Sequence, residues 1–386
     1  MANEKAHTGP LAGLKVVEVG GVGPGPFCGM LLSDMGAEVV RIDRKHASES
    51  GLPVERRFDV MFRGRRSLAM DLKKPQAVDA VKRLLQGADV LIEGFRPGVM
   101  ERLGLGPDVC LGLNPRLVYG RMTGWGQSGP LAREVGHDIN YIALSGVLHA
   151  IGREGGPPQI PLNLVGDFGG GAMYLAFGIL CALHEAKSSG RGQVVDAAMV
   201  DGAGSLMAMV YGLFAAGYWQ DERGANRLDS GAPWYDVYET SDGRHVALGC
   251  TEASFYRNTL QVLGLREEDF AGQHERAGWP AMREAFARAF RSRTRDEWCT
   301  AFDGTDTCFS PVLSLAEAPR HPHQAARGNF VQCAGVVQPA PAPRFSRSQP
   351  AVQGPPPEVG QHTREVLVDW GFGLQDIAAL EGAGAI

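Results

Sequence analysis

Alternating blocks of apolar and polar positions open the chain and predict its first three elements. The apolar run Leu14–Val19 is typical of a buried strand, the stretch Phe27–Met35 of a helix, and Glu38–Asp43 of a second strand. A strand, a helix and a strand in succession form a βαβ unit, whose two strands are parallel. The opening therefore predicts a doubly wound α/β domain.

The same patterning continues along the chain and extends the predicted parallel sheet. Further strands are expected at Ser67–Leu72, Ala88–Glu93, Arg116–Met122 and Gln193–Ala198. Helices are expected at Pro75–Gln86 and Ala172–Ala186. Because helices separate the strands, the fold class is predicted to be α/β with a parallel sheet.

A polar stretch, Asp221–Ser230, marks a change in composition and is interpreted as a linker. Beyond it, Tyr235–Thr240 and His245–Cys250 predict a β-hairpin through an Asp-Gly turn, and helical segments follow. The proline-rich C-terminal part is expected to wrap over another element or subunit. The predicted domains are residues 1–220, a smaller α+β domain at 221–319, and a C-terminal return to the large domain at 320–386.

The glycine-rich segment Gly20–Pro26 follows the first strand, and Asp43 ends the second strand, where a dinucleotide-binding fold carries its ribose-binding acid. The dinucleotide fingerprint nevertheless fails, because Pro26 or Cys28 occupies the position of its third glycine. NAD binding is therefore not expected.

Overall composition argues against some classes of function. The 386 residues carry a formal net charge of −5, and the isoelectric point near 6.1 gives no basic excess that could neutralise nucleic-acid phosphates. The seven cysteines are scattered, odd in number and never spaced C-x-x-C, which argues against a disulfide framework and a zinc site. His321 and His323 come closest to a metal motif. We expect neither nucleic-acid binding nor a bound metal.

The sequence also lacks the expected signs of a targeting or membrane segment. Residues 1–10 do not show the charged and then apolar organisation of a signal peptide. The longest apolar run, near Ala172–Leu183, is shorter than the roughly 20 residues of a membrane span. Scattered cysteines are typical of a reducing compartment. We therefore expect a soluble, cytoplasmic protein that contacts no membrane.

Basic residues crowd into one short stretch of this acidic chain. They are Arg56, Arg57, Arg63, Arg65 and Arg66, with Lys73 and Lys74 after the next strand. Guanidinium groups bind phosphate oxygens in pairs, so the cluster predicts either a phosphate site or a solvated basic face. Arg96 follows the strand that ends at Glu93, and ligands of open α/β sheets bind at such strand ends. It is a second candidate for a phosphate or adenine contact.

The candidate chemistry lies between Trp125 and Gly171. His137 and Asp167 each lie in a glycine-punctuated turn, and three glycines follow closely after the aspartate, where the next helix is expected to begin. A carboxylate there lies beside free backbone N–H groups. The absence of side chains would let a carbonyl oxygen that becomes an enolate approach this backbone. The alternative is a plain aspartate N-cap with a flexible turn.

Several segments together resemble one family. They are Leu11–Glu18, Asp34–Arg44, Ile92–Gly98, Gly124–Pro130 and Gly136–Asp138. With these motifs the chain resembles the class III CoA-transferase superfamily from Leu11 to about Trp370, and the settings of His137 and Asp167 resemble its α-methylacyl-CoA racemase branch. The resemblance implies a Rossmann-like large domain that binds CoA, a small domain, and an interlocked homodimer in which the small domain of the other subunit closes the site.

The resemblance also assigns roles to single residues. The positions that match CoA contacts are Val22, Arg44, Leu72, Lys73, Arg96 and Asp138. His137 and Asp167 match the two proton-transfer positions. Glu252 matches a small-domain glutamate that pairs with the histidine. Asn163 matches a position near the carboxylate, and Tyr235 one near the acyl pocket.

Two proton-transfer groups imply a reaction at a single carbon. Inverting a carbon next to a thioester requires one base to remove its weakly acidic proton and a second acid on the other face to return one. The first hypothesis is therefore racemisation or epimerisation of 2-methylacyl-CoA by His137 and Asp167 through an enolate, with Glu252 orienting the imidazole. CoA is part of the substrate, and no separate cofactor is expected.

Two alternatives stay open at this point. Asp167 could attack an acyl-CoA as a nucleophile and move CoA between carboxylic acids, in which case His137 and Glu252 have no required role. The protein could also be a CoA-binding subunit without catalytic activity. The sequence does not determine the acyl chain or the stereochemical preference.

Overall fold

The computed structural model describes residues 8–45 and 54–386. The chain divides into two compact units. The first unit contains the chain up to Ser145, Leu162–Leu206 and Pro322–Ile386, and the second contains Gly146–Pro161 and Met207–His321. Residues 146–161 and 207–220, which the sequence analysis assigned to the large domain, therefore group with the second unit.

The first unit is built on a six-stranded parallel sheet. Its strands are β1 Lys15–Val19, β2 Glu38–Asp43, β3 Arg66–Ala69, β4 Val90–Glu93, β5 Val118–Thr123 and β6 Val194–Ala198. They are ordered β3-β2-β1-β4-β5-β6, and every neighbouring pair is parallel. The predicted α/β fold with a Rossmann-like sheet is confirmed. The order reverses between β1 and β4, and doubly wound sheets bind ligands at the carboxyl ends of strands at such a point.

Alternation along the strands explains why helices cover both faces of this sheet. Val17 of β1 and Leu91 of β4 belong to one hydrophobic cluster, whereas their neighbours Val16 and Val90 belong to another. Successive strand side chains point to opposite faces, so the two clusters are the two faces of the sheet. All four side chains are fully buried.

The α-helices of the described residues are α1 Pro24–Asp34, α2 Pro75–Gln86, α3 Val99–Arg102, α4 Pro107–Leu113, α5 Asp138–Leu144, α6 Val147–Ala150, α7 Met173–Ser189, α8 Met199–Leu206, α9 Ala208–Ala215, α10 Ala253–Leu263, α11 Trp279–Phe290, α12 Arg295–Phe302, α13 Pro322–Arg327, α14 Thr363–Asp369 and α15 Leu374–Gly382. Helix α1 begins three residues before the predicted Phe27, because proline is well suited to the first helical position. Helix α2 packs on one face of the sheet and α7 on the other.

The second unit contains a small antiparallel sheet of β7 Tyr235–Glu239, β8 His245–Gly249 and β9 Phe309–Pro311. The predicted hairpin is confirmed, since β7 and β8 pair antiparallel. Aromatic side chains fill the core of this unit, including the buried Trp234, Phe286 and Trp298. The last two strands, β10 Phe330–Cys333 and β11 Val336–Pro339, form a separate hairpin in the first unit.

The helix predicted at Ala172–Ala186 begins earlier than expected. A π-helical stretch, Leu164–Ala172, leads directly into α7. The continuous helical segment Leu164–Ser189 has 26 residues and contains an 18-residue window with a mean hydropathy of 1.5. By length and composition it therefore meets the requirement for a membrane span, contrary to the expectation from the sequence. Two of its residues, Leu175 and Ile179, are fully buried in the sheet cluster. The absence of membrane contact stays a prediction.

The C-terminal part of the first unit is fixed to the edge strand β3 through a histidine. The N–H of His362 donates to the carbonyl of Ser67 at 3.0 Å, and the N–H of Ser67 donates to Nδ1 of His362 at 3.2 Å. Burial lowers the pKa of His362, opposed by the charge of Glu365 and assisted by that of Arg66. The neutral imidazole is therefore the form that holds this segment.

This arrangement predicts a pH-dependent loss of stability. Unfolded His362 takes up a proton near pH 6.5, before the folded state does, so its contribution is complete above about pH 6.5 and is lost as the pH falls below that value. Replacing His362→Asn retains an acceptor that cannot be protonated. We expect urea unfolding between about pH 7 and 5 to show a smaller loss of free energy in the variant than in the parent.

A matched control is His184→Asn, which changes an exposed histidine of α7. This substitution is expected to leave the pH dependence of unfolding as it is in the parent. Equal pH slopes for the parent and the His362→Asn protein would contradict the proposed role of the Ser67 hydrogen bond.

Candidate active site

A cavity of about 380 Å³ opens at the reversal point of the parallel sheet. Its walls come from the glycine loop after β1, from the loop Gly94–Pro97 after β4, and from the end of β5. Both His137 and Asp167 line it. The two residues that the sequence analysis proposed for proton transfer are therefore brought to one cavity, although 30 positions separate them in the chain.

His137 immediately precedes helix α5, and its backbone is fixed there by its own helix. Its N–H donates to the Oδ1 atom of Asn140 at 3.0 Å, which satisfies one backbone donor at the helix start. The side chain of the next residue, Asp138, is 6% exposed and accepts the N–H of Asp167 through Oδ1 at 2.7 Å. This bond connects the histidine segment directly to the aspartate segment.

The carboxylate of Asp167 is half-buried and has one side-chain donor. Asn163 donates from Nδ2 to its Oδ2 at 3.0 Å. Burial raises the pKa of Asp167, and the charge of Asp138 raises it further, whereas the hydrogen bond from Asn163 and the charge of His137 lower it. The net shift is upward, which makes this carboxylate a stronger base than an exposed aspartate.

The glycines after Asp167 allow close helix packing, whereas the sequence suggested that they leave room for a ligand. A Cβ atom on Gly170 would lie 2.5 Å from the backbone nitrogen of Ala203, and one on Gly202 would lie 1.8 Å from the carbonyl oxygen of Gly170. The glycines let the π-helical stretch and α8 approach backbone to backbone. The interpretation that they clear a path for the ligand is wrong for Gly170, because its open side is filled by α8.

Among the expected oxyanion donors, the N–H of Asp167 itself is wrong. The N–H of Asp167 is already occupied by Asp138, although the residue does lie in the first turn of the helical stretch that begins at Leu164. The alternative of a plain aspartate N-cap is wrong, because Asn163 and not Asp167 occupies the N-cap position. Two helices begin beside this cavity: α1, whose first-turn residue Gly25 lines it, and α5, which starts directly after His137.

Tyr141 lines the same cavity, although no role was predicted for it from the sequence. Its ring packs edge-on against Trp125, with 4.8 Å between centroids, and a Cβ atom on Gly124 would lie 2.2 Å from that ring. Burial and the charge of Asp167 raise the pKa of Tyr141 to about 12, and Arg96 opposes the shift. The phenol is thus a neutral hydrogen-bond donor. Tyr141 follows His137 by four residues, and residues at this spacing lie on one face of a helix. This spacing was the sequence signal that could have placed Tyr141 in the site.

A second cavity, of about 680 Å³, adjoins the first at the ends of β1 to β4. The two cavities share Val19, Gly20, Phe95 and Arg96. Of the positions matched to CoA contacts, those in the first cavity are Val22 and Arg96, and those in the second are Arg44, Leu72, Lys73 and Arg96. Asp138 is buried beside Asp167. The second cavity is therefore lined by basic side chains, and CoA contact at these positions stays a prediction.

Several arginines of the basic cluster before β3 form internal ion pairs. Arg63 is 2% exposed and donates to both carboxylate oxygens of Asp34, at 3.0 and 2.5 Å. Arg65 is 3% exposed and pairs with Glu18 at 2.7 Å. For these two arginines both earlier interpretations, a phosphate site and a solvated face, are wrong. Sequence spacing did not reveal their acidic partners, which lie 29 and 47 positions away.

The two remaining candidates, Glu252 and Tyr235, belong to the second unit. Glu252 is exposed, immediately precedes α10, and accepts a hydrogen bond from the hydroxyl of Thr251 at 2.6 Å. Tyr235 lines a cavity of about 660 Å³ within that unit, together with Met207, Met209 and Leu228. The cavity is mainly apolar in its lining. The pairing of Glu252 with the histidine and the acyl-binding role of Tyr235 stay predictions.

Residues 11–363 match the sequence model of CoA-transferase family III. The chain belongs to this family. An alpha-methylacyl-CoA racemase of Mus musculus is 47% identical, and one of Homo sapiens is 44% identical, each over 96% of this chain and 96% of the relative. Among solved structures, a CAIB/BAIF family protein from Brucella suis is similar with a TM-score of 0.82 at 26% identity, covering 94% of this chain and all of that one.

Proposed function

We propose that this member of CoA-transferase family III racemises 2-methylacyl-CoA thioesters at the α-carbon. The observation that carries the proposal is the common cavity of His137 and Asp167 at the reversal point of the sheet. The relatives named alpha-methylacyl-CoA racemase, which align over nearly the whole chain, support the same activity. The basic side chains of the second cavity, Arg44, Lys45, Lys73 and Arg96, support binding of the nucleotide end of CoA there.

The proposed reaction exchanges one proton at one carbon. One of the pair His137 and Asp167 removes the α-proton. The C–H electron pair forms a C=C bond to the carbonyl carbon, and the C=O π pair moves onto the carbonyl oxygen to give an enolate. The other member returns a proton to the opposite face, so the configuration inverts without any net oxidation. The enolate oxygen needs a hydrogen-bond donor, and we assign this role to a first-turn N–H group of α5, which begins directly after His137.

Exchange of the α-proton with heavy water tests this function. A single enantiomer of a 2-methylacyl-CoA, incubated in D₂O with the protein, is expected to gain one deuterium and to become racemic, as measured by mass spectrometry and chiral chromatography. The analogue 2,2-dimethylacyl-CoA has no α-proton and is the matched control, which should gain no mass. A substrate that keeps both its proton and its configuration would refute the proposal.

The same samples distinguish CoA transfer from racemisation. If Asp167 acted as a nucleophile, an acyl-aspartate anhydride would form and hydroxylamine would trap it. An added carboxylic acid would then be converted to its CoA thioester. Under the racemase proposal neither product forms, and binding of CoA without exchange or transfer would indicate a subunit without catalytic activity.

The acid limb of the pH profile is expected to depend on Asn163. Removing its donor in Asn163→Ala takes away a bond that favours the ionised carboxylate, so the pKa of Asp167 should rise further. Because Asp167 must be ionised to act as a base, kcat/KM should reach its plateau at higher pH than in the parent. The measurement is kcat/KM against pH for the epimer that Asp167 deprotonates. An unshifted acid limb would contradict this role of Asn163.

We also propose a homodimer in which Glu252 of the partner subunit orients His137. Apolar side chains at spacings of four and three residues, Met173, Phe177 and Leu180, leave α7 with an exposed hydrophobic face that a second copy could cover. The proposal is tested by light scattering and by mixing inactive His137→Ala and Glu252→Gln chains. Mixed dimers would contain one intact site, and activity should return. A lack of complementation would place both residues in one chain.

The metabolic role and the location of the protein are two finer assignments, and each has its own support. We propose a role in the metabolism of branched fatty acyl thioesters and a cytoplasmic location, the latter because of the seven scattered cysteines. The apolar lining around Tyr235, with Met207 and Met209, supports an acyl chain without polar groups.

A further inference from the structure

Arg41 of β2 is a buried cation that the proposed reaction does not use. It is 6% exposed. Its Nη1 donates to the carbonyl oxygen of Gly20 at 2.9 Å, and its Nη2 donates to that of Gly21 at 3.1 Å. Both glycines line the cavity of His137 and Asp167, and Gly20 also lines the second cavity. One guanidinium therefore holds two successive peptides of the loop that borders both cavities.

Arg41 is itself fixed by a set of buried partners. Its Nε donates to Oδ1 of Asp43 at 2.8 Å, and its Nη1 also donates to Oε1 of Glu18, which is 1% exposed. The ring of Phe62 covers the guanidinium at 4.4 Å. Because a planar group with two charged partners has little freedom, the positions of the two carbonyl oxygens that it binds are defined as well.

The direction of the two carbonyl groups determines the direction of the N–H groups beyond them. In a trans peptide the C=O and the following N–H point to opposite sides. Since the carbonyls of Gly20 and Gly21 point to the buried Arg41, the N–H groups of Gly21 and Val22 point away from it. Val22 is 73% exposed and lines the cavity. The loop consequently presents two backbone donors on its exposed side.

The glycines of this loop have little intrinsic preference for such a conformation. Gly20, Gly21 and Gly23 have positive φ angles of 55°, 91° and 68°, and glycine loses more conformational freedom on ordering than any other residue. Without the guanidinium, rotation of either peptide would turn its N–H away from the ligand side. The two hydrogen bonds from Arg41 thus restrict the conformations that the peptides of Gly20 and Gly21 can adopt.

We propose that Arg41 is a positioning residue for CoA: it fixes the peptide planes of Gly20 and Gly21 so that the N–H groups of Gly21 and Val22 bind the amide carbonyl oxygens of the pantetheine arm. This inference rests on the proposed use of CoA thioesters. The arm must pass from the basic second cavity to the cavity of His137 and Asp167, and Gly20 belongs to both. Amide oxygens are the acceptors that the arm carries along this path.

The test compares Arg41→Lys with a control that has the same structural cost. Lysine keeps the charge but has one nitrogen, which cannot bond both carbonyls and both carboxylates in a fixed plane. The control is Arg63→Lys, since Arg63 is also buried and paired with Asp34 but donates to no residue that lines either cavity. We expect the KM for 2-methylacyl-CoA to rise about tenfold in Arg41→Lys, as befits the loss of one or two hydrogen bonds, and less than twofold in Arg63→Lys.

A truncated substrate separates positioning from general damage. The 2-hydroxyethyl thioester of the same acid lacks both amides of the pantetheine arm. The loss of kcat/KM caused by Arg41→Lys should be about tenfold larger for the CoA thioester than for this short thioester. Equal losses for both thioesters would overturn the proposal, as would an unchanged KM for the CoA thioester.

A second variant removes the donor without touching the buried ion pairs. Val22→Pro deletes one N–H from the exposed side of the loop, and it should raise the KM for the CoA thioester selectively. Binding of CoA alone is followed through the rise in Tm that it causes, which should shrink in Arg41→Lys and Val22→Pro but persist in Arg63→Lys. This measurement needs no turnover, so it is independent of the proposed activity. If the CoA-induced rise in Tm depends on Arg41 but the parent exchanges no α-proton, racemisation is refuted and the role of Arg41 in CoA binding still holds. CoA-induced shifts that are equal in all three variants would overturn it.

Discussion

Replacing Asp167→Asn is expected to lower racemisation by roughly three orders of magnitude, because a positioned acid or base contributes about 10²–10⁴ to rate. Asparagine keeps the size of the side chain and can still contact Asn163, so the cavity should persist. Proton exchange should not vanish for both epimers. His137 can still remove the α-proton from the face that it borders and return deuterium to the same face.

The decisive measurement is therefore made on each epimer separately. In D₂O the Asp167→Asn protein should exchange the α-proton of one epimer with retention of configuration and leave the other unchanged. The reciprocal variant, His137→Gln, should exchange only the opposite epimer. Exchange of the same epimer by both variants would contradict a two-base mechanism, and undiminished racemisation by either would remove that residue from the reaction.

The second large effect concerns stability. Gly202→Ala is expected to lower the free energy of unfolding by about 3 kcal/mol, at the upper end of the usual cost of overpacking. The added methyl would lie 1.8 Å from the carbonyl oxygen of Gly170 and 2.6 Å from its carbonyl carbon. These are backbone atoms of a helical stretch that also carries Asp167, and they cannot move aside as a side chain could.

Gly204→Ala is the matched control in the same helix. A Cβ atom at Gly204 meets no atom within 4 Å apart from the adjacent backbone of its own helix, so alanine should stabilise the protein by about 0.5–1 kcal/mol through its better helix propensity. Urea unfolding of the parent and both variants provides the comparison. Similar stabilities of the Gly202→Ala and Gly204→Ala proteins would show that the contact between the π-helical stretch and α8 is not tight.

Strand positions were predictable because a strand that is buried on both faces is a short, nearly continuous run of apolar residues in the sequence. The run Glu38–Asp43 was predicted with its observed bounds, and Leu14–Val19 differs by one residue from β1. Apolar β-branched residues in short runs between glycines and helices are typical of central parallel strands. The antiparallel hairpin of the second unit was equally local, since its Asp-Gly turn lies between two short strands.

The environment of Asp167 was less predictable because its partners are distant in the chain. A carboxylate followed by glycines is typical of a helix start, and nothing nearby in the sequence indicates that Asp138, 29 residues earlier, accepts its N–H. The close contact of Gly170 with Gly202 is likewise a meeting of two helices. A π-helical turn adds one residue without any sequence signature of its own, and such turns are frequent at functional sites.

The arginines before β3 illustrate the same limit for charge. Their number suggested a phosphate site, yet Arg63 forms an ion pair with Asp34 and Arg65 with Glu18. The two carboxylates reach the arginines only because α1 and β1 pack against this segment. Burial of a charged group is costly unless a partner is present. The sequence records the charges but not their pairing.

By itself, the sequence determined the α/β order of elements, the candidate acid and base, and the family likeness, because each depends on residues close together in the chain or on motifs that stay recognisable without a structure. Only the tertiary structure decided that His137 and Asp167 share a cavity, that Arg41 holds the glycine loop, and that the glycines after Asp167 serve helix packing. Those facts depend on contacts between segments that are far apart in sequence, and such contacts exist only once the sheet has brought the strand ends together.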